Sequence, residues 1–245
     1  MLFRSPEISV QPSEFSRLYR FPRAYLKEVI VADPINPAGV VHYEYRGIYE
    51  AELVIRFRSS LRWMWPYSEK VTGPVCYSAD EEAGWVMFRD RAGDLCVMAG
   101  ANRKPSSIFA GQYKRFEYQG KAKGFLPVST DKPELSTLMS WPLGMNDNLD
   151  VVISATVEGI DSAARHFGLA LENPLMVRQS AEDHVRELFK NSLMLTTPDQ
   201  NFNRGYRWAL VSTDRFFVHT PGMGKALTAG YSTTKKGWDG GHGIN

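Results

Sequence analysis

The most informative feature of this sequence is a change in hydrophobic periodicity near Asp161. Before it, Leu26, Glu28 and Ile30 alternate with Lys27, Val29 and Val31, and polar residues alternate with apolar ones along residues 41–46 and 52–58. A period of two is typical of β-strands with one buried face. After it, apolar residues recur at every third or fourth position, which is the period of an amphipathic helix. Strands followed by helices predict an antiparallel β-sandwich followed by a helical region.

One hairpin and one irregular segment are predicted within the β-region. The apolar residues 85–88 and 95–98 flank Asp90-Arg91-Ala92-Gly93-Asp94. A connection of about five residues that contains Gly is typical of a β-hairpin. Residues 1–22 are polar and interrupted by prolines, so we expect an irregular start or one edge strand there.

Three helices are predicted after the β-region. The first has an apolar face made by Ile160, Ala164, Phe167 and Leu171. Ser180-Ala181-Glu182-Asp183 resembles a capping box, which places the start of the second helix at Ser180. In Thr197-Pro198-Asp199-Gln200, Thr197 is the expected N-cap of the third helix. We therefore divide the chain into a β-sandwich domain, residues 1–172, and a helical region, residues 173–245.

Composition excludes several classes of protein. Hydrophobic residues make up 43% of the chain and charged residues 23%, which is typical of a globular protein with a core. A formal net charge of +2 indicates no polyanion-binding surface, so we expect no nucleic-acid partner. Apolar runs stay far below the ~20 residues of a membrane helix, and residues 1–10 lack the apolar segment of a signal peptide. We expect no membrane association, and a cytoplasmic location is favoured although the compartment stays open.

Neither a cofactor nor a metal ion is expected. The five histidines form no HExxH motif or His/Cys cluster, and the chain has no phosphate-binding loop, dinucleotide-binding motif or serine-nucleophile motif. Cys76 and Cys96 could pair across neighbouring strands, although two reduced and buried thiols are favoured. Spacing selects no glycosidase pair among the 27 acidic residues. The residues alone therefore give no complete catalytic site.

Two aromatic segments are candidates for ligand binding. Trp63 and Trp65 lie in Leu61-Arg62-Trp63-Met64-Trp65-Pro66-Tyr67, where aromatic faces could stack on sugar rings and Arg62 could hold hydroxyl groups. A place in the core or in a domain interface is the favoured alternative for them. Trp238 and Asp239 lie in a Gly-rich loop, where a ligand contact and a solvated loop tip both stay open.

Four segments near the C-terminus resemble the entry into the barrel of a known enzyme family. They are Thr197-Pro198-Asp199, Tyr206-Arg207-Trp208-Ala209, Thr220-Pro221-Gly222-Met223-Gly224 and Ala229-Gly230-Tyr231. The family is that of the bacterial and archaeal glycogen-debranching enzymes of the amylo-α-1,6-glucosidase, glucoamylase-like group. The resemblance implies a β-rich, antiparallel super-sandwich, then linker helices, and then helices that begin an α/α toroid barrel, which carries the active site.

The matching segments do not include the residues that perform catalysis in this family. Its sugar-binding Gly-Arg-Asp motif and its catalytic carboxylates find no counterpart in this chain. The resemblance therefore implies an N-terminal portion of a glycoside hydrolase that acts on α-glucans, of the glycogen-debranching α-1,6-glucosidase type, without activity of its own. It also implies that Tyr231, Trp238 and Asp239 approach an α-glucan or oligosaccharide.

The expected partners follow from the same resemblance. The first helices of a truncated barrel would expose an apolar face. We therefore expect them to associate with the remaining C-terminal barrel of the same protein, or with each other. Two other functions stay open. The chain could be a non-catalytic carbohydrate-binding or scaffolding module, or a structural domain that binds a partner. The stacking platforms of such a module would be Trp63, Trp65, Tyr231 and Trp238.

Overall fold

The structure is a computed structural model of the 245-residue chain. It describes residues 5–58, 61, 76–80, 82–90, 93–119, 122–127, 135–220 and 224–227. Contacts divide the chain into two units. The first comprises Met1–Leu61 and Thr72–Ser180, and the second comprises Arg62–Val71 and Ala181–Asn245.

The first unit contains two antiparallel sheets. Its strands are β1 (Glu7–Val10), β2 (Phe15–Phe21), β3 (Ala24–Ala32), β4 (Ala38–Gly47), β5 (Ala51–Arg58), β6 (Cys76–Asp80), β7 (Trp85–Arg89), β8 (Cys96–Ala101), β9 (Ser107–Gln119), β10 (Ala122–Pro127), β11 (Leu135–Leu143) and β12 (Asn146–Thr156). The larger sheet has eight strands in the order β1-β2-β3-β4-β12-β8-β7-β6, and the smaller has four in the order β10-β9-β11-β5. The last strand, β12, is inserted between β4 and β8.

One hydrophobic core joins the two sheets. Side chains from β3, β4, β7, β8 and β12 of the larger sheet and from β5, β9 and β11 of the smaller one form a single cluster. Trp141 of β11 lies at its centre and is fully buried, and its indole Nε1 donates a 2.8 Å hydrogen bond to the Arg103 carbonyl oxygen. Two antiparallel sheets around one core are a β-sandwich, so the fold class predicted from the periodicity is confirmed.

Residues 1–22 form two strands rather than one. The prolines lie at positions 6, 12 and 22, just outside β1 and β2, so neither strand loses a backbone donor to them. The predicted hairpin of residues 85–98 is confirmed, because β7 pairs antiparallel with β8.

The register separates the two cysteines. Cys76 of β6 and Cys96 of β8 both lie opposite Arg89 of β7, one on each side. With strands about 4.8 Å apart, their Cα atoms lie roughly 10 Å apart, which is too far for a disulfide. Cys96 is a buried free thiol, and burial raises its pKa.

Helix α1 (Ile160–Glu172) packs on the larger sheet, against β12, β8 and β4. Of its predicted face only Phe167 is buried. The observed face consists of Ser162, Ala163, Phe167 and Ala170. The helix follows β12 through Gly159, whose φ of 88° is favourable only for glycine. The backbone at this junction sets the rotation of the helix, and the hydrophobic pattern alone does not determine that rotation.

The other two helices begin at residues that differ from the predicted ones. Helix α2 (Pro174–Asn191) starts with a proline in its first turn rather than at Ser180. Helix α3 (Gln200–Phe216) is capped by Asp199, whose carboxylate accepts hydrogen bonds from the amides of Asn201 and Phe202, whereas Thr197 was the predicted cap. Within the described residues, no helix is long and apolar enough to cross a membrane.

The second unit contains the C-terminal half of α2, helix α3 and a short hairpin. This hairpin joins β13 (Phe217–Thr220) to β14 (Gly224–Leu227). His184 of α2 and Asp214 of α3 form a 2.7 Å pair between the two helices. The domain boundary predicted at residue 172 stays a prediction.

Candidate functional site

A row of aromatic side chains with one arginine runs along β2. We call Phe15, Arg17, Tyr19 and Phe21 the β2 aromatic row. Alternate residues of a strand face the same way, so these four side chains share one face of the sheet. Arg17 lies opposite Glu28 of β3, which in turn lies opposite Tyr43 of β4. Because Tyr43 belongs to the core cluster, the row lies on the core face of the larger sheet.

The difference in width between the two sheets explains why this face is partly exposed at β2. Strands lie about 4.8 Å apart in any sheet, so the four-stranded sheet spans about half the width of the eight-stranded one. The core cluster uses β3, β4, β12, β8 and β7 of the larger sheet, and β2 lies outside this group. All four side chains of the row are partly exposed. The backbone of β2 thus presents an aromatic surface to solvent.

A buried carboxylate holds the polar part of this surface in place. Glu28 is 7% exposed, and its Oε2 lies 2.5 Å from Nε of Arg17. The hydroxyl of Tyr43 donates to Oε1 of Glu28 at 3.1 Å. The Arg17 guanidinium also lies 5.5 Å from the centre of the Phe15 ring, a cation–π contact. The ion pair, the hydrogen bond and the cation–π contact together fix the rotamers of Arg17 and Glu28 before any ligand binds.

The electrostatics of this cluster affect both nearby tyrosines. Burial raises the pKa of Tyr43 well above its ordinary value, and the negative charge of Glu28 and its hydrogen bond raise it further. The pKa of Tyr19 is also raised, first by burial and then by the charge of Glu28. Both phenols therefore stay protonated at neutral pH, and Tyr43 donates its hydrogen bond to the carboxylate.

The arrangement offers aromatic faces and fixed charged groups to a ligand. Aromatic faces pack on the apolar faces of sugar rings, and charged groups form strong hydrogen bonds with hydroxyl groups. Glycoside hydrolysis requires two carboxyl groups about 5 to 10 Å apart. The cluster of the β2 aromatic row, Glu28 and Tyr43 contains only one carboxyl group. Among the described residues, no group of three or more His, Cys, Asp or Glu could hold a metal ion.

The residues predicted to contact substrate lie outside the described residues. These are Tyr231, Trp238 and Asp239, and the same holds for Trp63 and Trp65. Their roles stay predictions.

Tyr206 lies in one of the four segments that resemble the glycogen-debranching enzymes, and it has a structural role in the second unit. Its hydroxyl donates a 2.6 Å hydrogen bond to the Leu193 carbonyl oxygen, and its ring stacks on Phe202 with ring centres 6.5 Å apart.

Sequence reasoning missed the β2 aromatic row. The alternation of Phe15, Arg17, Tyr19 and Phe21 is visible in the sequence, but the surrounding prolines led us to expect an irregular segment. The ion pair with Glu28 depends on the register between β2 and β3. No sequence pattern specified that register.

The fold, an antiparallel sandwich followed by helices, is shared with glycoside hydrolase-like proteins. A solved protein from the human microbiome, described as a kojibiose phosphorylase, matches with a TM-score of 0.57 and 10% identity, over 84% of this chain and 27% of its own. A bacterial glucoamylase complexed with acarbose matches with a TM-score of 0.53 and 10% identity, over 86% of this chain and 31% of its own. This chain thus spans less than a third of either protein.

In sequence, no protein family model and no curated protein matches the chain. At 10% identity, the likeness to the two solved structures concerns the fold alone.

Proposed function

We propose that this chain is the N-terminal, non-catalytic portion of a glycoside hydrolase that acts on α-glucans. The observation that carries the proposal is the fold, which matches a kojibiose phosphorylase and a glucoamylase over 84% and 86% of the chain. The segments between Thr197 and Tyr231 that resemble glycogen-debranching enzymes support the α-1,6-glucosidase type. In this proposal the catalytic carboxylates belong to an α/α barrel with which the helices of this chain associate.

The β2 aromatic row gives the proposal a binding surface. Its three rings lie on one strand, so their positions along it are fixed: Tyr19 and Phe21 are about 7 Å apart, and Phe15 and Tyr19, with Arg17 between them, are about 13 Å apart. Tyr19 is the middle one of the three rings, and the Arg17–Glu28 pair supplies fixed polar groups beside it. An oligosaccharide of the α-glucan is the ligand that we assign to this surface. Tyr231, Trp238 and Asp239 are proposed as additional contacts.

The first experiment tests whether the chain is catalytic. The purified chain is incubated with isomaltose, panose and a glycogen limit dextrin, and the released glucose is measured. We expect no release above the level without protein, because in this proposal the catalytic carboxylates belong to the α/α barrel. Glucose release that scales with protein concentration would contradict a non-catalytic portion.

The second experiment tests the ligand class and the surface together. Malto- and isomalto-oligosaccharides are titrated by calorimetry, with cello-oligosaccharides as the β-linked comparison. We expect α-linked chains to bind and β-linked chains to bind more weakly. Tyr19→Ala removes one stacking ring and is expected to raise the Kd about five- to tenfold.

Tyr25→Ala is the matched control for Tyr19→Ala. Tyr25 is also a partly exposed tyrosine on a neighbouring strand, but it lies opposite Arg20 and therefore on the other face of the sheet. Its removal should leave the Kd unchanged. If no α-glucan binds, the alternative of a structural domain replaces the proposal. If binding occurs but responds only to Trp238→Ala, the glucan surface lies in the C-terminal loop.

A further inference from the structure

The first unit contains a cavity on the face of the larger sheet opposite the β2 aromatic row. Its volume is about 350 Å³. The apolar walls are Val29, Val31 and Val40 of the sheet together with Pro174 and Leu175 of α2. The polar lining residues are His42, Asp150, Asn173 and Arg178. The cavity thus combines an apolar floor with polar groups from both sheet and helix, which is typical of small-molecule sites.

A chain of hydrogen bonds fixes the polar side formed by the sheet. His42 and Asp150 lie opposite each other on β4 and β12, with Nδ1 and Oδ1 2.7 Å apart. The side-chain amide of Asn102 donates to Oδ2 of Asp150 at 3.1 Å. An ionised carboxylate only accepts hydrogen bonds, so Nδ1 of His42 is the donor. The pair with Asp150 thus fixes the orientation of the His42 ring, and its other nitrogen, Nε2, can bond to a ligand.

The lining of the cavity carries charges of both signs. Asp150 is negative, and Arg178, which lies 2.9 Å from the carboxylate of Glu14, is positive. An anionic ligand would meet the charge of Asp150, and a cationic ligand would meet that of Arg178. A neutral ligand avoids both repulsions. The walls therefore favour a molecule with hydroxyl groups, which both donate and accept, and with apolar C–H faces that pack on the valines.

We propose that this cavity binds one neutral monosaccharide. Small-molecule sites range from about 300 to 1,000 Å³, so the volume of about 350 Å³ suits one sugar ring and not an oligosaccharide. The sugar's hydroxyl groups form a hydrogen bond with Nε2 of His42, donate to Asp150, and accept from Asn173 and Arg178. The choice of D-glucose as the probe rests on the proposed function, since glucose is the unit of an α-glucan. The cavity site itself rests on the geometry described above.

The test is a titration of the full chain with D-glucose, followed by ligand-observed NMR and calorimetry. Leu175→Trp places a large ring at the cavity wall, and Leu175 is 71% exposed, so the change leaves the core intact. We expect this variant to lose glucose binding. Leu193→Trp is the matched control, because Leu193 is 76% exposed and is not among the lining residues.

A second pair of variants tests the hydrogen-bond chain. His42→Ala is expected to raise the Kd for glucose about tenfold, the effect of losing a hydrogen bond from a polarised partner. His184→Ala is the control, since His184 also forms a 2.7 Å pair with an aspartate, Asp214, but does not line the cavity. Circular dichroism melting verifies that all four variants are folded.

Several outcomes would overturn the cavity site. Glucose that does not bind saturably, or that binds Leu175→Trp as well as the wild type, excludes it. Displacement of glucose by acetate or phosphate contradicts the preference for a neutral ligand.

Failure of the proposed function has a different signature. If glucose binds and responds to Leu175→Trp while no malto- or isomalto-oligosaccharide binds, the monosaccharide site stands and the α-glucan assignment falls. If oligosaccharides bind and respond to Tyr19→Ala while glucose does not bind, the reverse holds.

Discussion

Arg17 and Glu28 face each other across β2 and β3, and the two ends of their ion pair differ in exposure. The side chain of Arg17 is 35% exposed, whereas that of Glu28 is 9% exposed, and the two atoms that meet are 2.5 Å apart. A buried charge costs desolvation energy that only its partners offset. The carboxylate therefore depends on the guanidinium more than the guanidinium depends on the carboxylate.

Removing only the guanidinium is expected to destabilise the sandwich. Arg17→Met leaves Glu28 buried beside Tyr43, and we expect a loss of about 2 kcal/mol, below the usual range for buried pairs because Arg17 is partly exposed. Arg17→Met combined with Glu28→Gln should recover most of the loss, since no uncompensated charge is left. Urea denaturation of the two single variants and the double variant measures this coupling.

Arg20→Met is the matched control for the Arg17→Met variant. Arg20 lies on the same strand and pairs with Glu7 at 2.7 Å, but both side chains are about 60% exposed. We expect no measurable change, since an exposed pair contributes little. Equal losses in Arg17→Met and Arg20→Met would show that burial of Glu28 does not determine the effect.

The raised pKa of Tyr43 predicts an alkaline dependence of stability. Burial is the main cause of the shift, followed by the charge of Glu28 and its hydrogen bond. A pKa above the unfolded value of about 10 contributes stability that is fully present below that pH and is lost as the pH rises above it. Tyr43→Phe should therefore lose stability less steeply between about pH 9 and 11. Urea midpoints measured across this range provide the test.

Tyr49→Phe separates this effect from a general response to alkali. Tyr49 is 56% exposed, and its variant is expected to follow the wild-type profile. A Tyr43→Phe profile that is parallel to the wild type at every pH would contradict the assignment.

The lowered pKa of Asp147 predicts that stability is lost as the pH falls into the acid range. Burial raises the pKa of its carboxyl group, but the hydrogen bond from Arg103 and those from the amides of Gly144 and Asn148 together outweigh burial and lower it. A lowered pKa contributes stability that is present above the unfolded value of about 4 and is lost as the pH falls below it. Asp147→Asn should therefore show a flatter decline in stability below about pH 4. If both proteins decline equally, other carboxylates dominate acid unfolding.

Two glycines where α1 meets the sheet predict changes of opposite sign. A Cβ at Gly100 would lie 2.8 Å from the Gly84 carbonyl oxygen and 2.9 Å from Cζ of Phe167, whereas a Cβ at Gly168 would meet nothing within 4 Å. Gly100→Ala is expected to cost about 1–3 kcal/mol through overpacking. Gly168→Ala should stabilise by about 1 kcal/mol, because alanine favours a helix interior. Thermal melts of both variants measure the difference.

The hydrophobic periodicity predicted the strands and helices better than it predicted the contacts between them. The alternation around Leu26 and Val41 correctly identified strands, since a period of two depends only on local geometry. Phe167 was correctly assigned to a buried helix face, but Ala164 and Leu171 were not, because the backbone at Gly159 rotates the helix. The pattern identifies a strand, but it shows neither that β3 and β4 are buried on both faces nor which strand pairs with which.

The candidate sites illustrate the same limit. Glu28 shares a face of β3 with Leu26 and Ile30, which are half-buried, whereas Val29 and Val31 on the other face are buried, so the alternation did not predict its burial. Arg17, which forms the ion pair with Glu28, lies on another strand, and the pair forms only in the observed register between β2 and β3. His42 and Asp150 are 108 residues apart in sequence, and nothing in either segment indicates the other. Contacts of this kind come from topology, and a single sequence does not encode topology locally.

The insertion of β12 between β4 and β8 affects the protein during its synthesis. β1 to β4 pair in sequence order, but the free edge of β4 has its partner only in β12, which begins at Asn146, about 100 residues after β4 ends at Gly47. At translation rates of about 5–20 residues per second, this delay is roughly 5–20 s. During that time the nascent chain exposes unpaired backbone groups along β4, which are a template for association between chains. Ribosomes spaced closely on one message would bring several such edges together, so slower initiation is expected to raise the yield of folded protein.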